Sequence, residues 1–281
     1  MKSVLVTGGA GALGTALARR LLNSTVERIV IYSRGEFRQA TMHQELSPLD
    51  CHEKLRMMIG DVRDKDRLKR ALRDVDTVFH AAALKRIETA NYNPDELVRT
   101  NVVGTQNVID AAMDAGVERA VFLSTDKAYQ PISPYGHSKA IAECMFLAAN
   151  NMRGKSGPRF GATRYGNVWR STGSVVPKWE SILASGADTV PVTDPECTRF
   201  FMTIEQAVDL VLTTAKTMKG GEIAIPTLPA YRLGDLAEAM GAKMRITGLP
   251  SFEKLHESMA EGNSSDKARR LSVDDLRRLI K

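Results

Sequence analysis

A short β-branched run, Lys2-Ser3-Val4-Leu5-Val6-Thr7, leads straight into Gly8-Gly9-Ala10-Gly11-Ala12-Leu13-Gly14 and then into Thr15-Ala16-Leu17-Ala18-Arg19-Arg20-Leu21-Leu22. Strand, glycine turn and amphipathic helix, in that order and at the start of the chain, constrain the fold more than any other feature. Glycines reach positive φ and let main chain approach a pyrophosphate. The helix N-terminus then holds the anion with unpaired N–H groups and its dipole. The spacing Gly8, Gly11, Gly14 is G-x-x-G-x-x-G, so the flanking strand and helix argue for a dinucleotide site more than the glycines do. Gly8, Gly11, Ala12, Leu13 and Gly14 form the expected cradle.

A second strand, Arg28-Ile29-Val30-Ile31-Tyr32, ends at Ser33-Arg34. An acid here would accept the ribose 2′-hydroxyl of NAD; a hydroxyl and a guanidinium instead suit the 2′-phosphate of NADP through a charge-assisted fork. The competing reading leaves Arg34 in solvent and gives the ribose to Glu36. A third strand, Met57 to Val62, places Asp61 and Val62 near an adenine. A fourth, Thr77 to Ala83, ends in Ala81, Ala82 and Ala83, small enough for close cofactor approach.

Strands near 3–7, 28–32, 54–59, 76–81, 119–124 and 159–164 alternate with helices near 12–22, 36–46, 64–73, 93–115 and 135–150. That alternation predicts an α/β fold, a Rossmann-type doubly wound parallel sheet, over residues 1–168. After Arg164-Tyr165-Gly166-Asn167-Val168 the pattern changes. Helices near 174–186, 204–218, 232–241 and 253–260 and short strands near 189–192, 222–225 and 243–246 predict a smaller C-terminal α/β substrate lobe over 169–281, with helix 204–218 free to pack back on the sheet. Ser272 and Asp275 have the spacing of a helix N-cap pair.

Chemistry gathers after the fifth strand. Ser124-Thr125-Asp126-Lys127 is followed by Tyr135-Gly136-His137-Ser138-Lys139. Tyr135 and Lys139 are four apart on one helix face, and a nearby ammonium lowers a phenol's pKa toward that of a general base for an alcohol. A surface tyrosine and a solvated lysine would give the same spacing. His80 and His137 read as structural.

The 281 residues are 43% hydrophobic and 26% charged, ordinary for a globular chain. No apolar run approaches the roughly 18 residues of a membrane span, and the N-terminal run is a strand rather than a signal peptide. Cys51, Cys144 and Cys197 have no metal spacing and cannot all pair. A cytoplasmic protein is expected, without metal or membrane partner. The net charge of +6 is spread among acids, which fits phosphate-bearing small molecules without nucleic acid.

Taken together, Thr7 to Gly14, Tyr32-Ser33-Arg34, Ala82-Ala83-Leu84-Lys85, Asn101-Val102-Val103-Gly104-Thr105, Ser124 to Ala128, Tyr135 to Lys139, Arg164 to Val168, Gly173-Ser174-Val175-Val176-Pro177, Thr198-Arg199-Phe200 and Glu253-Lys254-Leu255-His256-Glu257 resemble the extended short-chain dehydrogenase/reductases. Within these they resemble the inverting UDP-N-acetylglucosamine 4,6-dehydratases of polysaccharide biosynthesis. The chain departs from that pattern at Gly35, Arg86 and Phe252. The resemblance implies an NADP-dependent lyase and homo-oligomer acting on a UDP-sugar. Thr125, Tyr135 and Lys139 would serve oxidation at C4, neutral Lys127 would take the C5 proton, and protonated Asp126 would release the C6 hydroxyl. It implies cofactor contacts from Asn101, Tyr135, Lys139 and Tyr165, and substrate contacts from Lys85, Asn167, Ser174, Val175, Arg199 and Glu253. A C4 epimerase, a 5,6-dehydratase and a non-catalytic NADP-binding regulator are the alternatives.

Overall fold

The computed structural model describes residues 1–171 and 173–280, with side chains except at Ile87, Glu88 and Asn91. The first part runs β1 (Ser3–Thr7), α1 (Ala12–Leu22), β2 (Arg28–Ser33), α2 (Glu36–Leu46), β3 (Leu55–Ile59), α3 (Lys65–Ala71), β4 (Thr77–His80), α4 (Ile87–Tyr92), α5 (Pro94–Val98), α6 (Gly104–Asp114), β5 (Arg119–Leu123), α7 (Pro134–Ala148) and β6 (Arg159–Thr163). The remainder runs β7 (Asn167–Val168), α8 (Val175–Ala184), β8 (Thr189–Val192), β9 (Thr198–Met202), α9 (Ile204–Thr217), β10 (Ile223–Ala224), β11 (Ala230–Arg232), α10 (Leu233–Ala239), β12 (Lys243–Ile246), β13 (Ser258–Ala260), β14 (Asn263–Ser264) and α11 (Val273–Ile280).

Seven strands form one sheet in the order β3-β2-β1-β4-β5-β6-β10, and every pairing is parallel. Parallel strands are covered on both faces, so β1, β2 and β5 read as apolar runs rather than alternations. Val30, Val78, Phe122, Phe146 and Phe160 fill one face; Val4, Leu17, Ile29, Phe79 and Val211 fill the other. Each such side chain contributes about 1.5–3 kcal/mol on burial. The strand order reverses between β1 and β4, which opens a crevice at their carboxyl ends.

A second core, built on Trp179, Val190, Val192, Tyr231, Leu236 and Leu276, holds the smaller lobe together. Ser272 caps α11 as its spacing predicts: Ser272 N donates to Asp275 Oδ2 at 3.0 Å and Asp275 N to Ser272 Oγ at 3.1 Å. The strand expected near 222–225 does not belong to this lobe. It is β10, which pairs with β6 in the large sheet, while α9 packs on the same sheet through Val208, Val211 and Leu212.

Two predicted helices differ. The helix expected over 93–115 is interrupted by a π turn at Arg99–Val103. The helix expected over 253–260 does not form. Glu253 to Glu257 runs as a strap along β9, where Thr198 N donates to Leu255 O at 2.9 Å, and then enters β13. Its polar side chains each bond a different tertiary partner, which outweighs local helix propensity.

Arg164 joins the two parts. It forms a buried ion pair with Glu143 of α7, and its Nη1 donates to Met259 O in β13 at 2.5 Å. Removing one member of a buried pair strands the other charge and costs about 3–5 kcal/mol. Arg164→Met should lose stability on that scale in chemical denaturation, whereas the double variant Arg164→Met/Glu143→Met should recover most of it.

Candidate active site

Strand β5 delivers the reactive cluster to the crevice. Beyond it, Thr125 caps a single 3-10 turn, Asp126–Ala128, and its Oγ1 donates to Asp126 Oδ1 at 2.9 Å. Lys127 Nζ lies 3.1 Å from Asp126 Oδ1 and 3.3 Å from Glu257 Oε1, and donates to Asn167 Oδ1 at 3.4 Å. Helix α7 starts at Ser133, whose Oγ accepts from Gly136 N at 3.1 Å, with Pro134 in its first turn. This fixes Tyr135 and Lys139 against the turn, both buried.

The charges differ from those expected at two points. Burial drives the Tyr135 phenol up to about 12, and it is Lys127 and the Thr125 hydroxyl that pull against that rise. Lys139 is engaged by main chain and a ring, which the four-residue spacing did not suggest. Its Nζ donates to Leu123 O at 2.7 Å and sits 3.8 Å over the Phe122 ring. Burial lowers Lys139 to about 7, with Glu143 opposing. Lys127 is not the neutral amine expected. Burial favours that form, but Asp126 and Glu257 outweigh it and hold the ammonium. Burial also raises the Asp126 carboxyl, and the Lys127 ammonium opposes that rise. Its Oδ2 is buried without a hydrogen-bond partner.

The main chain around the first turn fits a dinucleotide. Gly8 has φ +64°, and a Cβ there would lie 2.8 Å from Ala82 Cα. A Cβ on Gly14 would lie 2.2 Å from Gly9 O. Gly11 begins α1 without any side-chain cap, leaving the first-turn N–H groups of Ala12, Leu13 and Gly14 free of side-chain competition for an anion. Arg34, half-exposed, stands 3.8 Å from Asp61 Oδ2, and Ser33 Oγ accepts from Gln39 Nε2 at 3.0 Å. Ala81 and Ala83 are partly open beside the loop.

Several residues expected at the cofactor also hold the frame. Asp61 binds Arg63 through its carboxylate, at 2.9 Å to Nε; burial opposes ionisation there but the Arg63 bonds win, holding the carboxyl low. Val62 is core rather than lining. Asn101 Oδ1 accepts from Leu84 N at 2.8 Å, and its Nδ2 donates to Leu84 O and Ser138 Oγ, both at 2.9 Å, so it clamps the loop that carries Lys85. Tyr165 is buried beside Tyr135, and burial raises its phenol. His80 is structural, bonded to Thr7 Oγ1 at 2.7 Å and Thr105 Oγ1 at 2.9 Å.

Next to the cluster is a cavity of about 300 Å³, lined by Lys127, Asn167, Val175, Lys178, Arg199 and Glu257 among others. Glu253 is on its wall and paired with Arg199 at 2.5 Å. Burial, Arg86 and Lys127 lower the Lys85 ammonium, which puts Lys85 on the cationic side of the cluster. Ser174 precedes α8 with its Oγ buried and unbonded. Glu257 was not foreseen as a site residue. It is 130 positions from Lys127 in the sequence, and only the strap brings the two together.

The buried lysine makes stability depend on pH. Lys139 is lowered to about 7 in the folded chain, against about 10.4 unfolded. Between those values the unfolded chain binds the extra proton, so this group makes stability rise with pH, at up to about 1.4 kcal/mol per pH unit. Lys139→Met should flatten that slope in denaturant titrations.

The model of the family described as polysaccharide biosynthesis protein matches residues 4–277. The chain is 45% identical to the UDP-N-acetylglucosamine 4,6-dehydratase (inverting) of Campylobacter jejuni serotype O:2, covering 94% of this chain and 79% of that protein. It is 38% identical to the UDP-glucose 4-epimerase of Rickettsia typhi, covering 98% and 81%. Among solved structures, Pen from Bacillus thuringiensis superposes with a TM-score of 0.93 at 34% identity, covering 99% of this chain and 98% of that one. The dTDP-glucose 4,6-dehydratase DesIV of Streptomyces venezuelae, with NAD and TYD bound, superposes with a TM-score of 0.83 at 25% identity, covering 99% and 95%.

Proposed function

Because the chain belongs to the polysaccharide biosynthesis protein family, we propose that it is an NADP-dependent nucleotide-sugar 4,6-dehydratase, acting on UDP-N-acetylglucosamine with inversion at C5. The observation that carries this reading is the Asp126–Lys127 pair, 3.1 Å apart, set beside Thr125 and Tyr135 with Lys127 opening on the cavity. A C4 epimerase has no use for a second acid and base. A dehydratase needs both.

A nicotinamide dinucleotide held by the Gly8–Gly14 turn would supply a reversible hydride acceptor, for C4 first and C6 afterwards. Tyr135 Oη, once it has given its own proton to solvent as the phenolate that Lys127 and Thr125 favour, takes the C4 hydroxyl proton, with Thr125 Oγ1 orienting that hydroxyl. The resulting ketone acidifies the C5 hydrogen. Lys127 becomes the base for it once a proton crosses from Nζ to Asp126 Oδ1, since the neutral amine and neutral acid are the forms that burial favours. Asp126 then delivers its proton to the departing C6 hydroxyl, which leaves as water; when C6 has regained hydride, C5 takes a solvent proton on the face opposite Lys127. Asn167, Val175, Arg199 and Glu253, with Lys85 and Ser174 nearby, hold the nucleotide and diphosphate. Ser33 and Arg34, where an acid would select NAD, support NADP.

Incubation with UDP-N-acetylglucosamine should yield a product lighter by one water, with solvent deuterium at an inverted C5. An unchanged mass would indicate epimerisation, and a 5,6-alkene in the NMR spectrum the related elimination. Lys127→Ala should still bind NADP while turnover falls about 100- to 10,000-fold; full activity would refute its role. Arg34→Ala should weaken NADP about tenfold or more in fluorescence titration and leave NAD nearly unchanged.

A further inference from the structure

We infer that Glu257 is a positioning residue that fixes the proton on Lys127, so that the C-terminal strap and not the Asp126–Lys127 turn alone sets the acid–base state of the site. The inference rests on the dehydratase reading for its role in turnover, but its geometry stands apart from it.

Glu257 comes from the far side of the cavity, about half a chain away from the turn it meets. Its side chain is 2% exposed and its Oε1 is 3.3 Å from Lys127 Nζ. The strap is pinned at successive residues, which leaves Glu257 little freedom. Glu253 pairs with Arg199, Lys254 Nζ donates to Tyr129 O at 2.7 Å, and His256 Nδ1 is 2.9 Å from Thr198 Oγ1. Glu257 N donates to Ser265 Oγ at 2.9 Å. Its Oε2 is buried with no hydrogen-bond partner. A carboxylate held this way, with one oxygen on Lys127, serves that lysine.

The other charged and titratable groups facing Lys127 are Asp126 on its own turn and Arg199 from β9, Lys85 from the loop after β4, Tyr135 from α7 and Tyr231 from β11. Lys254, on the strap, adds a further positive charge. Glu257 and Asp126 are therefore the only anions among these, and removing one halves the negative charge on the ammonium. Glu257 itself stays ionised: burial opposes this, but Lys127, Arg199 and Lys254 prevail.

The proton balance assigns it a task. At rest the pair is ammonium and carboxylate. In the forward step an N–H bond at Lys127 breaks, the electron pair stays on Nζ, and an O–H bond forms at Asp126 Oδ1. Nζ then accepts the C5 proton, and the Asp126 proton leaves in water. Both groups return to ammonium and carboxylate, the charge pattern that Glu257 stabilises. Glu257 thus opposes premature transfer and favours the reset.

The test is a pH titration of the full chain carrying 13C at lysine Cε, with the Lys127 signal assigned by its loss in Lys127→Ala. The wild type should keep Lys127 protonated to the highest pH at which it stays folded. Glu257→Gln should release that proton at least about one pH unit lower, a tenfold drop in proton affinity, while Glu257→Asp stays with the wild type. Glu257→Ser replaces the Gln variant if that fails to fold. A neutral variant that titrates like the wild type, or Glu257→Asp titrating like the neutral variant, overturns the inference. In turnover of UDP-N-acetylglucosamine, the alkaline limb of kcat, where the Asp126–Lys127 pair loses its one shared proton, should move to lower pH in Glu257→Gln with KM little changed; an unmoved limb overturns it. If the wild type converts no nucleotide sugar, the proposed function falls, and the titration still decides Glu257.

Discussion

A lysine ammonium at the mouth of a cavity, gripped by carboxylates from two separate parts of the chain, is the interaction on which the rest depends. Lys127 meets Asp126 at 3.1 Å and Glu257 at 3.3 Å. Burying a cation is costly unless anions come with it. Asp126 arrives by sequence adjacency, but Glu257 requires that the strap after β12 lie along β9 and that the smaller lobe close over the ends of the sheet. The buried Arg164–Glu143 pair, reaching Met259 O, holds the same junction from behind. Lobe packing and site electrostatics are thus one problem.

What was legible in the sequence was whatever local pattern determines. The glycine turn, the alternation of strands and helices up to β6 apart from the π turn, and the Ser272 cap rest on contacts within a few residues, and each is found where the pattern put it. Residues Tyr135 and Lys139 share a helix face as spacing requires, but spacing does not tell where an ammonium points. Lys139 turns to Leu123 O and the Phe122 ring, and the phenol feels Lys127. The protonation of Lys127 was illegible for the same reason: one of its two counter-ions lies in a segment whose sequence reads as helix. That segment is extended because its polar side chains find tertiary partners one after another.

The fold and the family are shared with proteins named for different outcomes on nucleotide sugars, dehydration of UDP-N-acetylglucosamine in one relative and epimerisation of UDP-glucose in another. A shared scaffold cannot separate these. In the proposed reading the difference resides in the groups beside Thr125 and Tyr135, where Asp126, Lys127 and Glu257 meet. The chain covers 79% of the Campylobacter jejuni relative's length and 98% of Pen from Bacillus thuringiensis.

The π turn at Arg99–Val103 has a consequence for how the crevice is built. An ordinary α-helix advances about 100° per residue, so one residue of extra slack in a turn rotates everything before it relative to everything after. Downstream, Val108, Ile109 and Ala112 face the sheet. Upstream, Asn101 turns inward to grip Leu84 on both its N–H and its C=O. One rod thereby serves two masters with incompatible phases, packing against the strands at one end and bracing the ligand-facing loop at the other. Excising a single residue from that turn would restore regular winding and leave only one of those faces correctly aimed.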